Sequence, residues 1–326
     1  MQIVYLTDIH DHFDEVIEVV KNEKADLFVI SGDLAYRAFD DDTDLFRFIE
    51  LQEKYKRIHA ESKGEIQFIT WLAARPRDDE FAEYSHLSRK ADEYLGKKYS
   101  DFSTALSNAT QTEIIMIPGN YDLNLAATAL SIFNRHEQTV ITGDIRFACY
   151  GSAPIFTAGI PEERAIDFFE KAIPGKRSVK SFLMNAKPDV VVLHNPAYGT
   201  LDKLPRFGHC GSQGAREAID ELEPALVLSG HIHENYGLLK RGSTYFLNPS
   251  NFGSVENIDG VSPGGLYAVI NLQKDSHGLH LRQVDWKQYT PEKTYYLCTV
   301  HIDRKLRASE MISSKHEFEA FGRFLL

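Results

Sequence analysis

Cysteine is scarce in this chain: Cys149, Cys210 and Cys298 stand far apart and are odd in number. That excludes a disulfide framework and a cysteine-built metal knuckle, and it suits a reducing cytoplasm. Long apolar runs are missing too. No uninterrupted stretch approaches the roughly 20 residues of a membrane span, and no basic and apolar leader precedes the first apolar run at Ile3. The expected setting is therefore cytoplasmic, with no membrane partner. Basic residues are in deficit: Lys plus Arg is 36 against 47 for Asp plus Glu, a formal charge of −11. A surface so acidic opposes phosphate backbones and anionic lipids, which disfavours nucleic acid as a partner. No internal repeat or low-complexity tract interrupts the chain. What remains is a 326-residue sequence with 43% hydrophobic residues, ample for a large buried core in one or two α/β domains.

The first ten residues set the pattern. Ile3-Val4-Tyr5-Leu6 reads as a buried strand and stops at Thr7-Asp8-Ile9-His10. In open α/β sheets ligands gather outside the carboxyl ends of strands, so Asp8 and His10 stand where chemistry is expected. A helix over about 12–23 and a second strand, Leu27 to Ile30, complete a βαβ unit, which predicts a parallel sheet centre. That strand ends in Ser31-Gly32-Asp33. Residues 35–112 break the alternation with two helix-like segments, from Asp40 through Tyr55 and from about Asp78 to Ser107. The stretch is too long for a plain connection and reads as a helical insertion. Two roles stay open for it: a lid whose aromatics, with Arg75 or Arg77, meet the substrate, or a cover for a sheet face or an oligomer contact.

Further strands follow at Ile114 to Ile117, 138–142, 145–150, Val190 to Leu193 and Ala225 to Ser229, with helices expected from Pro161 to about Ala172, over 178–186 and over 211–222. Strands around 236–247 and 265–284 have the Gly-bounded texture of antiparallel hairpins. The tail, 285–326, holds one strand-like run, Tyr295 to Val300, and an amphipathic end with Phe318, Phe321 and Leu325. It is read as a C-terminal extension packed on the same domain as residues 1–284, with a terminal helix or the insertion as the route to a homo-oligomer. His136, His277, His280 and His301 read as ordinary hydrogen-bonded core histidines.

Strand ends thus supply Asp8, His10, Asp33, Asn120, His194, His231 and His233. Imidazole, carboxylate and amide donors without thiolate suit Mn, Fe or Zn better than Mg or Ca. In order along the chain stand Asp8-Ile9-His10, Gly32-Asp33, Gly119-Asn120-Tyr121-Asp122, His194 and Gly230-His231-Ile232-His233. This constellation resembles the calcineurin-like metallophosphoesterase superfamily over roughly residues 1–34 and 113–272. The stretch from His194 through Tyr198-Gly199, His209-Cys210-Gly211 and Asn248-Pro249 is similar to the class III phosphodiesterase-type branch.

The resemblance implies an α/β fold, a four-layer α/β/β/α sandwich with a helical insertion and a C-terminal extension. It implies two divalent transition-metal ions, one on Asp8, His10, Asp33 and His233 and the other on Asp33, Asn120, His194 and His231, with Asp33 shared. The implied activity is phosphoester hydrolysis, of phosphodiesters above all, on a small-molecule substrate by a metal-bridging hydroxide. Asn120, Tyr121, Asp122 and His209 are the expected catalytic residues, and Asn120, His209 and His12 the expected substrate contacts. One departure matters: the family usually has His where Tyr121 stands, and a phenol cannot carry positive charge. Either Tyr121 shifts the enzyme towards diesters with good leaving groups, or His12 or His209 supplies the proton. Two rival functions share the fold: a non-catalytic protein-binding scaffold and a DNA nuclease.

Overall fold

Alternating apolar residues in the central strands are buried on both faces, and that single fact organises the architecture. The computed structural model describes residues 1–61, 68–75, 78–154, 157, 159–173, 175–257, 260–302, 309–313 and 323–325. In chain order these form β1 (Gln2–Leu6), α1 (Phe13–Asn22), β2 (Leu27–Ile30), α2 (Asp42–Glu61), α3 (Phe68–Ala73), α4 (Asp79–Ala109), β3 (Ile114–Met116), β4 (Gln138–Thr142), β5 (Ile145–Tyr150), α5 (Val179–Ala186) and β6 (Val190–Leu193). There follow β7 (Lys203–Leu204), β8 (Gly208–His209), α6 (Gln213–Leu222), β9 (Leu226–Leu228), β10 (Gly237–Arg241), β11 (Thr244–Asn248), β12 (Val255–Asn257), β13 (Gly260–Ser262), β14 (Leu266–Asp275), β15 (Gly278–Tyr289), β16 (Thr294–Ile302), β17 (Ser309–Ser313) and β18 (Arg323–Leu325).

Two large sheets result, one ordered β17-β16-β15-β14-β1-β2-β3 and the other β18-β10-β11-β9-β6-β5-β4. β1, β2 and β3 pair in parallel, as do β5, β6, β9 and β11. Odd-numbered residues of the first sheet, Ile3, Tyr5, Val29 and Ile115, share a core with Phe147, Val192 and Leu228 of the second. Their neighbours Val4, Leu6, Phe28 and Met116 face α1, α2 and α4, through Val16, Phe48 and Phe102 among others. On the far side Ala148, Val191 and Val227 pack against α5 and α6. Period-two side chains on a strand make this double burial possible.

Local chemistry starts the helices where the sequence suggests. Asp78 caps α4 by accepting the Phe81 N–H at 2.8 Å, and Ser212 caps α6 through Ala215 at 3.0 Å. The insertion covers the outer face of the first sheet, and Arg75 lies 4.8 Å over the Trp71 ring, engaged with the insertion's own aromatics. Ile66, Gln67, Arg77, Phe318 and Phe321 fall outside the described residues.

Several expectations need correction. Pro161 starts only the 3-10 turn Glu162–Arg164, not a helix to Ala172. The Arg164 carbonyl accepts from Asn124 N–H at 2.7 Å and the Ile166 carbonyl from Ser152 Oγ at 2.7 Å, so tertiary partners take the groups a helix would use. A boundary at 284 falls inside β15, which runs on to Tyr289. The described parts of the tail are strands: β17 extends the first sheet, and β18 joins the edge of the second. His277 is a turn residue with 78% side-chain exposure, not a core one.

His136 is half-buried, and its Nδ1 accepts the Gly151 N–H at 3.0 Å. Burial, with Lys176 and Arg177 nearby, pushes its pKa down to about 4. Because the unfolded chain takes up that proton first, this stability is present above the unfolded value of about 6.5 and lost as pH falls towards 4, at most about 3 kcal/mol. Urea unfolding at pH 7 and pH 5 checks this: the loss on acidification is smaller in His136→Gln than in wild type.

Candidate metal centre

The loops leaving β1, β2 and β9 bend at once. Asp8 (φ 54°), His10 (φ 44°), Asp33 (φ 47°) and His231 (φ 66°) all occupy the left-handed region. Such a backbone is uncommon outside glycine and is kept where surrounding structure enforces it. Enforcement is visible in the packing. A Cβ at Gly119 would stand 2.1 Å from Asp33 Oδ1, and one at Gly230 would stand 1.9 Å from Thr7 Oγ1.

These turns bring two sets of donors together. Asp8, His10 and His233 each offer an atom within 4.8 Å of the others, and so do Asp33, His194 and His231. His233 Nε2 lies 3.0 Å from Asp8 Oδ1, and His10 Nε2 lies 3.5 Å from His233 Nε2. His194 Nε2 is 3.3 Å from Asp33 Oδ1 and 3.1 Å from Asn120 Oδ1. All seven expected metal ligands thus converge, with Asp33 grouped beside His194 and His231.

Supporting bonds aim them. His194 Nδ1 meets the Ser31 carbonyl at 2.8 Å, which turns Nε2 towards Asp33. Asp8 accepts from Thr7 Oγ1 at 2.8 Å and from the His231 N–H at 3.1 Å. The Tyr121 N–H donates to Asp33 Oδ1 at 2.9 Å. Asn120 Nδ2 donates to Thr157 Oγ1 at 2.8 Å, leaving Oδ1 for the site.

Charge inside the cluster is balanced by proximity. Burial works against ionisation of Asp8 and Asp33, yet His233 beside the one and His194 beside the other hold both carboxyls below their usual range. Burial also opposes a proton on His194, but Asp33 outweighs it and lifts the imidazole to about 9. His231 goes the other way: burial and the His194 charge push it down to about 4. Its Nε2 is buried without a hydrogen-bond partner. A neutral imidazole with an unpartnered buried nitrogen beside a carboxylate fits a metal ligand, so the donor set suits a divalent ion.

A family profile for calcineurin-like phosphoesterases matches residues 1–74. Over that stretch the chain is similar to the calcineurin-like phosphoesterases. The two donor groups give this chain a place where divalent ions could be held. Among curated relatives, a UPF0046 protein of Caenorhabditis elegans is 34% identical over 62 residues, 18% of this chain and 20% of that protein. An uncharacterized protein of Methanocaldococcus jannaschii is 28% identical over 145 residues, 42% of this chain and 64% of that one. The chain therefore matches less than two thirds of either relative's length. A solved crystal structure aligns with a TM-score of 0.54 at 14% identity, covering 89% of this chain and 99% of that one, a likeness of fold.

The remaining expected residues separate in role. Asp122 is fully buried and accepts from Gly119 N at 2.8 Å, Leu34 N at 3.0 Å, Ala35 N at 3.3 Å and Tyr99 Oη at 2.8 Å. It ties the first two strand-end loops of the insertion side together, a brace where a catalytic group was expected. His12 is also a brace: Nδ1 meets the His10 carbonyl at 2.9 Å and Nε2 meets Ser254 Oγ at 3.2 Å. His209 is held at 2.6 Å by Asp202, itself fully buried, with 41% of the imidazole exposed. Tyr121 stacks parallel to Tyr36 and edge-on to His10, at centroid distances of 6.2 and 5.4 Å. Sequence reading gave no role to Asp202, Thr157 or Tyr36. Thr157 and Tyr36 lie in irregular stretches with no periodic signal, whereas Asp202, seven residues before His209, could have been paired with it.

Asp122→Ala strands three backbone N–H groups and one phenol, and is expected to cost at least about 3 kcal/mol in urea unfolding, with Asp122→Asn costing less. A catalytic role would instead leave the unfolding midpoint unchanged.

Proposed function

We propose that the protein is a metal-dependent phosphoesterase that holds two divalent ions between its sheets and prefers phosphodiesters to alkyl phosphomonoesters. The observation that carries this reading is the pair of adjacent buried donor triads, one of them containing the unpartnered His231 Nε2. Asp8, His10 and His233 would hold one ion, and Asp33, Asn120, His194 and His231 the other, with Asp33 reaching both. Mn, Fe and Zn suit these donors. Such ions supply positive charge to phosphoryl oxygens and lower the pKa of bound water.

The chain's own groups do the rest. Asn120, oriented by Thr157, directs its carbonyl oxygen into the site and can meet the phosphoryl group at its edge. Burial and Asp33 push the Tyr121 phenol up to about 12, so at neutral pH it keeps its proton and can donate a hydrogen bond. It cannot act as a strong acid towards an alkoxide. Diesters with good leaving groups need little protonation of the departing oxygen, which supports the diester preference. The Asp202 carboxylate fixes His209 Nδ1 at 2.6 Å, and we assign its Nε2 to substrate.

Purified protein loses hydrolysis of bis(p-nitrophenyl) phosphate on chelation and regains it with Mn, and Asp33→Asn or His194→Ala lowers kcat/KM by roughly 100-fold. Absence of metal-dependent turnover would sink the proposal. Wild type turns over this diester faster than glycerol phosphate, and Tyr121→His narrows the gap. A faster wild-type rate on the monoester would end the argument about Tyr121.

A further inference from the structure

We infer that the cavity beside Asn120 binds the organic part of the phosphoester, and that this part carries an ammonium group; the inference rests on the phosphoesterase reading above. The cavity measures about 300 Å³, and between β5 and α5 it is lined by Ser152, Thr157, Ile160, Glu162, Asp167 and Phe169 among others, together with Asn120. Asn120 therefore faces two ways. Its Oδ1 stands 3.1 Å from His194 Nε2, and its Nδ2 is bonded to Thr157 in the cavity wall. A phosphoryl group placed among the metal ligands has its ester substituent beside the opening.

What lines the cavity selects the substituent. The Ser152 hydroxyl is engaged with the Ile166 carbonyl at 2.7 Å, and the Thr157 hydroxyl with Asn120. The charged groups in the lining are the carboxylates of Glu162 and Asp167, set among Ile160, Phe168 and Phe169. Among the described residues that line it, none is cationic. Lys56 pairs with Glu162 at 3.4 Å, and Lys176 lies 5.8 Å over the Phe169 ring, so Asp167 is the lining carboxylate that stands outside these two pairings. Asp167 is exposed at the mouth. Carboxylates beside aromatic rings attract a cation with an apolar body and repel a second anion. A nucleobase would find few donors for its ring acceptors.

The wall is preformed by the insertion. Gln52 of α2 donates to the Ile160 carbonyl and accepts the Glu162 N–H, both at 3.0 Å. Tyr84 and Ser88 of α4 donate to Glu163. A cavity held this way needs no ordering on binding, which favours selectivity.

Calorimetric titration of the Mn-loaded protein with phosphocholine and with 2-phosphoglycolate tests the charge preference without turnover. Wild type is expected to bind phosphocholine roughly tenfold more tightly, and Asp167→Lys, a change at an exposed position, to abolish or reverse the difference. Phe169→Leu weakens phosphocholine alone. Equal affinities in wild type, or a preference for phosphoglycolate, overturn the assignment. Hydrolysis then separates it from the broader reading, with p-nitrophenyl phosphorylcholine set against methyl p-nitrophenyl phosphate. Metal-dependent turnover of both at equal kcat/KM removes the cavity's role and leaves the phosphoesterase. No turnover of either, with the binding preference intact, removes the phosphoesterase and leaves the cation site. Glycerophosphocholine titration and sedimentation with phosphatidylcholine vesicles distinguish a soluble ester from a lipid headgroup; binding to either supports the cavity assignment, and binding to neither overturns it.

Discussion

Carboxylates from one sheet meet imidazoles from the other, and the rest of the molecule depends on that meeting. Asp8 and Asp33 leave β1 and β2, whereas His194, His231 and His233 leave β6 and β9. Neither sheet alone holds a complete donor set, so the shared core of Ile3, Tyr5, Val29, Phe147, Val192 and Leu228 sets the site's geometry as well as the protein's stability. Sliding one strand by two residues keeps its hydrophobic face but moves its end by about 7 Å, beyond the reach of any of these contacts. Burying charge in this gap is costly unless each charge has a partner within hydrogen-bonding distance. The Asp8–His233 and Asp33–His194 contacts provide those partners.

Backbone strain at the strand ends follows from the same demand. A strand running straight on would carry its next side chains away from the interface. Left-handed turns at Asp8, His10, Asp33 and His231 fold them back, at roughly 1–3 kcal/mol each. Gly119 and Gly230 allow the neighbouring loops to close over those turns without a Cβ between them. Asp122, which a reading of the strand end assigns to catalysis, instead collects the N–H groups of the tightened loops. Rigidity here gives the donors one arrangement, and a preorganised arrangement suits metal binding and catalysis alike.

The helical insertion joins this scheme from outside. α2 and α4 bury their apolar stripes on the first sheet, as sheet-covering helices do. Their polar residues Gln52, Tyr84 and Ser88 hold the turn around Ile160 and Glu163, and that stretch in turn places Thr157 against the Asn120 amide. A segment remote from the strand ends thereby reaches the site through one loop.

The sequence by itself determined the order of strands and helices in the two halves, because period-two and helical burial leave direct traces in residue type, and it pointed to the clustered acids and imidazoles, because they stand just past apolar runs. Asn120 and His194, 74 positions apart, could be named in this way without coordinates. Only the tertiary structure decided what depends on contacts between distant segments. It turned residues 165–172 from a helix into an irregular wall, since partners far along the chain claim their backbone groups. It made Asp122 and His12 braces, and it gave His209 its buried Asp202. Periodicity reports which face of an element is buried; it carries no information about which partner a polar atom finds, and at this site the partners decide the roles.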